Sequence, residues 1–178
     1  MGYRHSRDAI LEGALDAVFA EGLSSLSFGR LARRLGISDR VVVYYFPTKD
    51  DLVGEVLGGI GVRLQDTLAQ ALSAPVDDHV AFVRAVWPRL ALPEIDPVFA
   101  LFFEAGGLAA AGVSPYDTLV PSLVTGWIGW AAAAIEGPPA RRRTEAAAAI
   151  AVLDGLLLMR QLAGHDVADR AARGLGVR

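Results

Sequence analysis

The sequence contains no cysteine, which removes disulfides, thiolate zinc sites and cysteine nucleophiles and fits a reducing compartment. Its start, "MGYRHSRDAI", lacks the apolar run of a secretory signal, so a cytoplasmic location is expected. No segment sustains period-two alternation, which argues against a half-exposed sheet. The histidines, His5, His79 and His165, stand far apart and have no thiols to join them, so no metal site and no cofactor are expected. No serine sits in a nucleophile elbow and nothing pairs a nucleophile with a base. "GGIG" at 58–61 lacks both the further glycine and the preceding strand of a nucleotide loop. An enzyme is therefore not the expectation.

What is present is a chain of 178 residues, long enough to bury a real core, with a net charge of −3. That sum argues against indiscriminate nucleic-acid binding, but the distribution matters more. From Leu26 to Lys49 the bases are Arg30, Arg33, Arg34, Arg40 and Lys49, opposed only by Asp39, whereas acids outnumber bases beyond Lys49. Two parts with different partners are implied.

Apolar residues at Ile10, Leu11, Ala14, Leu15, Val18 and Phe19 recur at helical spacing and predict an amphipathic helix over 7–21, stopped by Gly22. In "LSFGRLARRLG", Ser27 is a cap, Leu31, Ala32 and Leu35 follow at helical spacing, and Gly36 is a left-handed stop. The next stretch, "ISDRVVVYYF", is strand-like by propensity. Three features favour a short helix instead. Ser38 stands where a cap is needed, Ile37 and Val42 repeat the staple spacing of Leu26 and Leu31, and Pro47 leaves little room for a strand. Thr48 with Asp51 resembles a capping box for the following helix. Further helices are predicted near 49–73, 77–91, 96–111, 116–136 and 140–163, then a loose tail. The fold class is all-α.

A helix, a glycine turn and a second short helix make a helix-turn-helix, whose second helix enters the DNA major groove. The residues from Ile10 to Val53, with their F-A-x-x-G, capped x-x-x-L-A, G-I-S, aromatic run and P-x-K-x-x-L elements in order, resemble the N-terminal region of the TetR family of bacterial transcriptional repressors. "FFEAGGLA" and "EAAAAIAVLDGLLLMRQL" resemble its more variable C-terminal half. The family usually has a tyrosine where this chain has Val43, so a phosphate or base-edge contact is either missing or supplied by Tyr44. The resemblance divides the chain into a helix-turn-helix head, 1–48, and a ligand-binding and dimerisation body, 49–178. It implies a palindromic operator bound by a homodimer and released by a small apolar or aromatic effector.

Geometry and resemblance together assign base reading to Asp39, Arg40, Val41 and Tyr44, and phosphate contacts to Ser27, Tyr45, Lys49, Arg4 and Arg7. Tyr44 also suits a core position, Ser38 is a cap first, and Arg33 and Arg34 read as a solvated face. Candidate ligand contacts in the body are Trp87, Phe99, Phe103, Trp127 and Met159, with Glu104 and Arg160 as polar anchors. The last two long helices are apolar or small on more than one face, which a single small domain can hardly bury. A dimer interface at Gly126, Gly129, Ala132, Ala147 and Leu157 resolves this. A membrane span at Leu119 to Ile135 ranks below it, because the stretch is short and contains Pro121, Ser122 and Thr125. Arg141, Arg142 and Arg143 are expected to be exposed. Gly54, Gly58, Gly59 and Gly61 soften the helix after the head, which suits it to relay ligand binding. The alternative function is a helical small-molecule binding protein with an unused head, supported by Val43 and the acidic balance.

Overall fold

In the computed structural model residues 6–178 are described; Arg4 and His5 lie outside them. Among the described residues the elements are α1 (Arg7–Glu21), α2 (Phe28–Leu35), α3 (Asp39–Tyr45), α4 (Lys49–Ala69), α5 (His79–Leu90), α6 (Asp96–Ala110), α7 (Tyr116–Ala133), α8 (Pro139–Ala163) and α9 (His165–Gly174). Two 3-10 turns, Leu23–Ser25 and Pro93–Ile95, complete them, and the only pairing of strand type among the described residues is one parallel bridge between Val76 and Ile135.

The chain forms two compact units, the first holding residues up to Val62 with Leu101–Val120, the second Arg63–Ala100 with Pro121–Arg178. The first turns of α4 belong to the first unit, where Leu52, Val53 and Val56 are fully buried.

Within the first unit α2 packs on α1 and α3 packs on α2. Ser6 caps α1 by accepting the Ala9 N–H (3.1 Å), and Ser27 caps α2 by accepting the Arg30 N–H (3.4 Å). At the end of α2, Gly36 adopts φ 67° and ψ 31°. The Ile37 N–H donates to Ala32 O (3.0 Å), which closes a left-handed C-terminal motif that a β-carbon would strain. That turn directs α3. Val42 and Phe46, wholly buried, hold one side of α3 against the core, so packing overrides the poor helix propensity of three valines and two tyrosines. Ser38 stands at the N-cap of α3, but its side chain makes no capping hydrogen bond.

In the second unit α8 packs against α5 and α9. The expected loose tail is α9: it packs on α8, Ala168 and Ala172 are wholly buried, and the Arg84 guanidinium donates to Gly176 O at 2.7 and 3.2 Å. Its apolar face is short, with Val167, Ala168, Ala171 and Ala172 at helical spacing, and the charged residues lie on the other side. α7 ends at Ala133 rather than near 136, because Glu136 donates its N–H to Val76 O (2.8 Å) and Val76 donates to Ala134 O (2.9 Å). Arg141, expected to be merely exposed, donates to Asp77 O (2.9 Å) and Glu136 O (3.3 Å) and so ties two loops together.

Candidate functional site

The outward side of α3 is built by subtraction. With Val42 and Phe46 turned to the core, residues 40, 43 and 44 share the opposite side at three- and four-residue spacing. Arg40 is exposed, Val43 is 41% exposed and Tyr44 is 78% exposed, which removes Tyr44 from the core. An aromatic ring so exposed on a seven-residue helix is a poor use of apolar area unless something covers it. The Tyr45 ring stacks edge-on against Tyr44 at 5.0 Å. Val41 is half-buried, and Asp39 leans toward the first turn of α2, its Oδ2 3.4 Å from where a β-carbon on Gly29 would stand. Val43 is thus a member of the outward face that its departure from the family pattern had hidden, and the burial of Val42 is the signal that reveals it.

The basic residues of this unit fall into two groups. Arg7 is held at home: its guanidinium is 2.6 Å from Glu55 and 5.2 Å over the Phe46 ring. Arg7, expected to contact phosphate, thus has an ion pair and a ring contact within the first unit. Arg34 pairs with Glu21 (3.2 Å) and Arg30 donates to Ser25 O (3.2 Å). Arg33, Arg40 and Lys49 are exposed and make no hydrogen bond or ion pair among the described residues. Lys49 opens α4 beside a closed capping box, in which Asp51 Oδ2 accepts the Thr48 N–H (3.0 Å) and Thr48 Oγ1 accepts the Asp51 N–H (3.0 Å). Ser27, with its hydroxyl on the Arg30 N–H, remains exposed.

The residues expected to contact a ligand divide between the units, with Phe103 and Glu104 in the first and the others in the second. Both expected polar anchors are engaged by the protein itself. Glu104 accepts the N–H groups of Leu23 and Ser24, each at 2.9 Å, and so clamps the turn between α1 and α2. Arg160, 4% exposed, forks onto Asp96 at 2.5 and 3.3 Å, and His165 Nε2 lies 3.0 Å from the same carboxylate. Breaking such a buried pair leaves an uncompensated charge, so Arg160 is a structural cation. Met159 is 40% exposed, whereas Trp87 and Phe99 are buried. In the second unit Phe82, Trp130 and Trp127 form a chain of edge-on rings with centroids 5.9 and 5.4 Å apart. The Trp87 indole N–H is buried with no partner among the described residues.

Two helices of this unit carry exposed stripes of small or apolar residues. On α7 these are Ser122, Gly126, Gly129 and Ala133; on α8 they are Ala147, Ala151, Gly155, Leu158 and Leu162. Ala132 and Leu157, expected at an interface, are buried in the unit's own core, whereas Ala133 and Leu158 beside them are exposed. α8 is also, among the described residues, the one helix long and apolar enough to cross a membrane by length and composition, with 33% of that window buried.

Residues 10–56 match the family described as bacterial regulatory proteins, tetR family. No curated protein matches the chain. Among solved structures, the multidrug binding protein EbrR complexed with imidazole has a TM-score of 0.68 at 24% identity, covering 98% of this chain and 93% of that one. A TetR transcription regulator from Haloarcula marismortui has a TM-score of 0.69 at 16% identity, covering 97% of both chains. One from Legionella pneumophila has a TM-score of 0.62 at 17% identity, covering 98% of this chain and 95% of that one. At these identities the likeness is one of fold.

Proposed function

We propose that this chain, a TetR-family regulator by its N-terminal domain and its helical fold, is a ligand-responsive repressor that acts in the cytoplasm, without enzymatic activity, by binding a palindromic operator as a homodimer. The observation that carries the reading is the outward face of α3: an unpartnered Arg40 beside the exposed Val43 and Tyr44. A guanidinium in that position suits the O6 and N7 of guanine, and Val43 with Tyr44 suits thymine methyl groups or a phosphate. Ser27, Tyr45, Lys49 and Arg33 supply the backbone contacts that fix register. Lys49 stands at a helix start, where its charge opposes the macrodipole unless a phosphate approaches.

A homodimer is supported by the stripes on α7 and α8, where β-carbons added at Gly126, Gly129 and Gly155 meet nothing within 4 Å. Open space over small residues lets a second copy's helices approach closely. Dimerisation buries the apolar stripe of α8 and removes any need for a membrane. The likeness to EbrR, one of whose structures is a complex with proflavin, and the ring chain Phe82, Trp130 and Trp127 support a flat aromatic effector. Binding of that effector favours a head spacing unsuited to two successive major grooves, about 34–36 Å apart, and DNA is released.

The test is a gel-retardation titration against the DNA flanking the protein's own gene. A retarded complex that weakens steeply with salt is expected. Arg40→Ala should cost about 1–3 kcal/mol and relax preference at one base pair, whereas Lys49→Ala should weaken every sequence alike and reduce the salt slope by about one. Equal losses from both substitutions on cognate and random DNA would overturn the division of roles.

A further inference from the structure

We propose that Glu104 is a positioning residue for operator binding: from α6 it fixes the turn between α1 and α2, and so holds the helix-turn-helix at the spacing a palindrome requires. The inference rests on the DNA-binding reading above. The turn Leu23–Ser25 has two amide N–H groups at its start, Leu23 and Ser24, and one carboxylate accepts both at 2.9 Å. Capping groups ordinarily come from the residue just before the helix and fold with it. Here the capping carboxylate is 81 residues away from Leu23 in sequence, so it orients one element relative to another.

The local geometry serves this approach. Gly22 has φ 81°, a conformation that favours glycine, and a β-carbon on it would stand 3.0 Å from Glu104 Oε2. From the turn the bonding continues into α2: the Ser25 hydroxyl donates to Gly22 O (2.8 Å), and the Arg30 guanidinium in α2 donates to Ser25 O (3.2 Å). Glu104 itself is anchored by the neighbours on its helix, with Leu101 and Ala105 buried. The same helix begins at Asp96, whose carboxylate takes the Arg160 fork and whose carbonyl accepts from Gln161 (2.8 Å).

A dimer gains on a palindrome because the second head binds at high effective concentration, and that gain needs the heads held at the right separation. A half-site needs only one folded head. The two duplexes therefore separate positioning from folding. The experiment uses the full chain, a palindromic duplex that the wild type enriches from a random pool, and the isolated half-site. Glu104→Ala should keep half-site affinity within about twofold and lose about tenfold or more on the palindrome. A one-base-pair insertion at the palindrome's centre should then penalise the variant less than the wild type. Glu104→Gln, which keeps an acceptor oxygen, should fall between them, and the Leu23 and Ser24 amides should exchange faster in both variants. Unchanged palindrome affinity despite faster exchange overturns the proposal. Parallel loss on half-site and palindrome also overturns it, because Glu104 then merely keeps the head folded. Failure of the wild type to enrich any duplex removes the DNA-binding reading and this inference with it.

Discussion

Leu162 is 76% exposed and Leu158 39% exposed on the stripe of α8, and a dimer built on that stripe has its energy there. Leu162→Ala removes three carbons, each worth about 0.8 kcal/mol when buried, and about three quarters of the side chain still awaits burial. The loss is then about 2 kcal/mol per protomer. Two-fold symmetry counts it twice, for about 4 kcal/mol and a dimer dissociation constant raised on the order of 10²- to 10³-fold. Sedimentation equilibrium over a concentration series measures that constant directly. Leu175, 53% exposed near the chain's end and off the stripe, is the control, and Leu175→Ala should leave the constant unchanged. Equal constants for the two variants, or a wild type that stays monomeric, would refute an interface on α8.

Asp154 on α8 is half-buried, and burial pushes its carboxyl from 3.8 up to about 6. The folded state therefore holds a proton that the unfolded state has lost between those values, so stability declines as pH rises from about 4 to about 6. The full linkage is about 3 kcal/mol, and solvent screening lowers it to about 1–2 kcal/mol; Asp154→Asn should recover that amount at pH 7 and flatten the decline, as denaturant titrations at several pH values will show. Gly58 and Gly59 have open space where a β-carbon would stand, so Gly58→Ala with Gly59→Ala should stiffen α4 by roughly 2 kcal/mol and raise the melting temperature. If α4 relays ligand binding, the pair also reduces the release of DNA by proflavin; unchanged release would exclude that role.

The head was largely legible in the sequence because its signals are local. Caps at Ser27 and Thr48, the stop at Gly36 and the staple partners Leu31 and Val42 lie within a few residues of what they control, and each is where the spacing placed it. Ser38 shows the limit of such signals, since it holds the cap position without the capping bond. The body was less legible because its polar contacts join distant segments. Nothing near Glu104 announces that its carboxylate caps a turn at Leu23, or near Arg160 that Asp96 awaits it. Core and surface positions of α7 and α8 were hard to tell apart for another reason: both helices are rich in alanine, glycine and leucine on every side. Composition alone does not tell Ala132 and Leu157, in the core, from Ala133 and Leu158, at the surface.

The most direct test of the central claim, that α3 reads DNA with Arg40, Val43 and Tyr44, is selection of binding sites from a random duplex pool followed by affinity measurement. The account predicts an enriched inverted repeat with half-site centres about 10–10.5 base pairs apart, bound far more weakly once Arg40 and Tyr44 are both alanine. A pool that stays random, or an enriched duplex that the doubly substituted protein binds as tightly as the wild type, contradicts it.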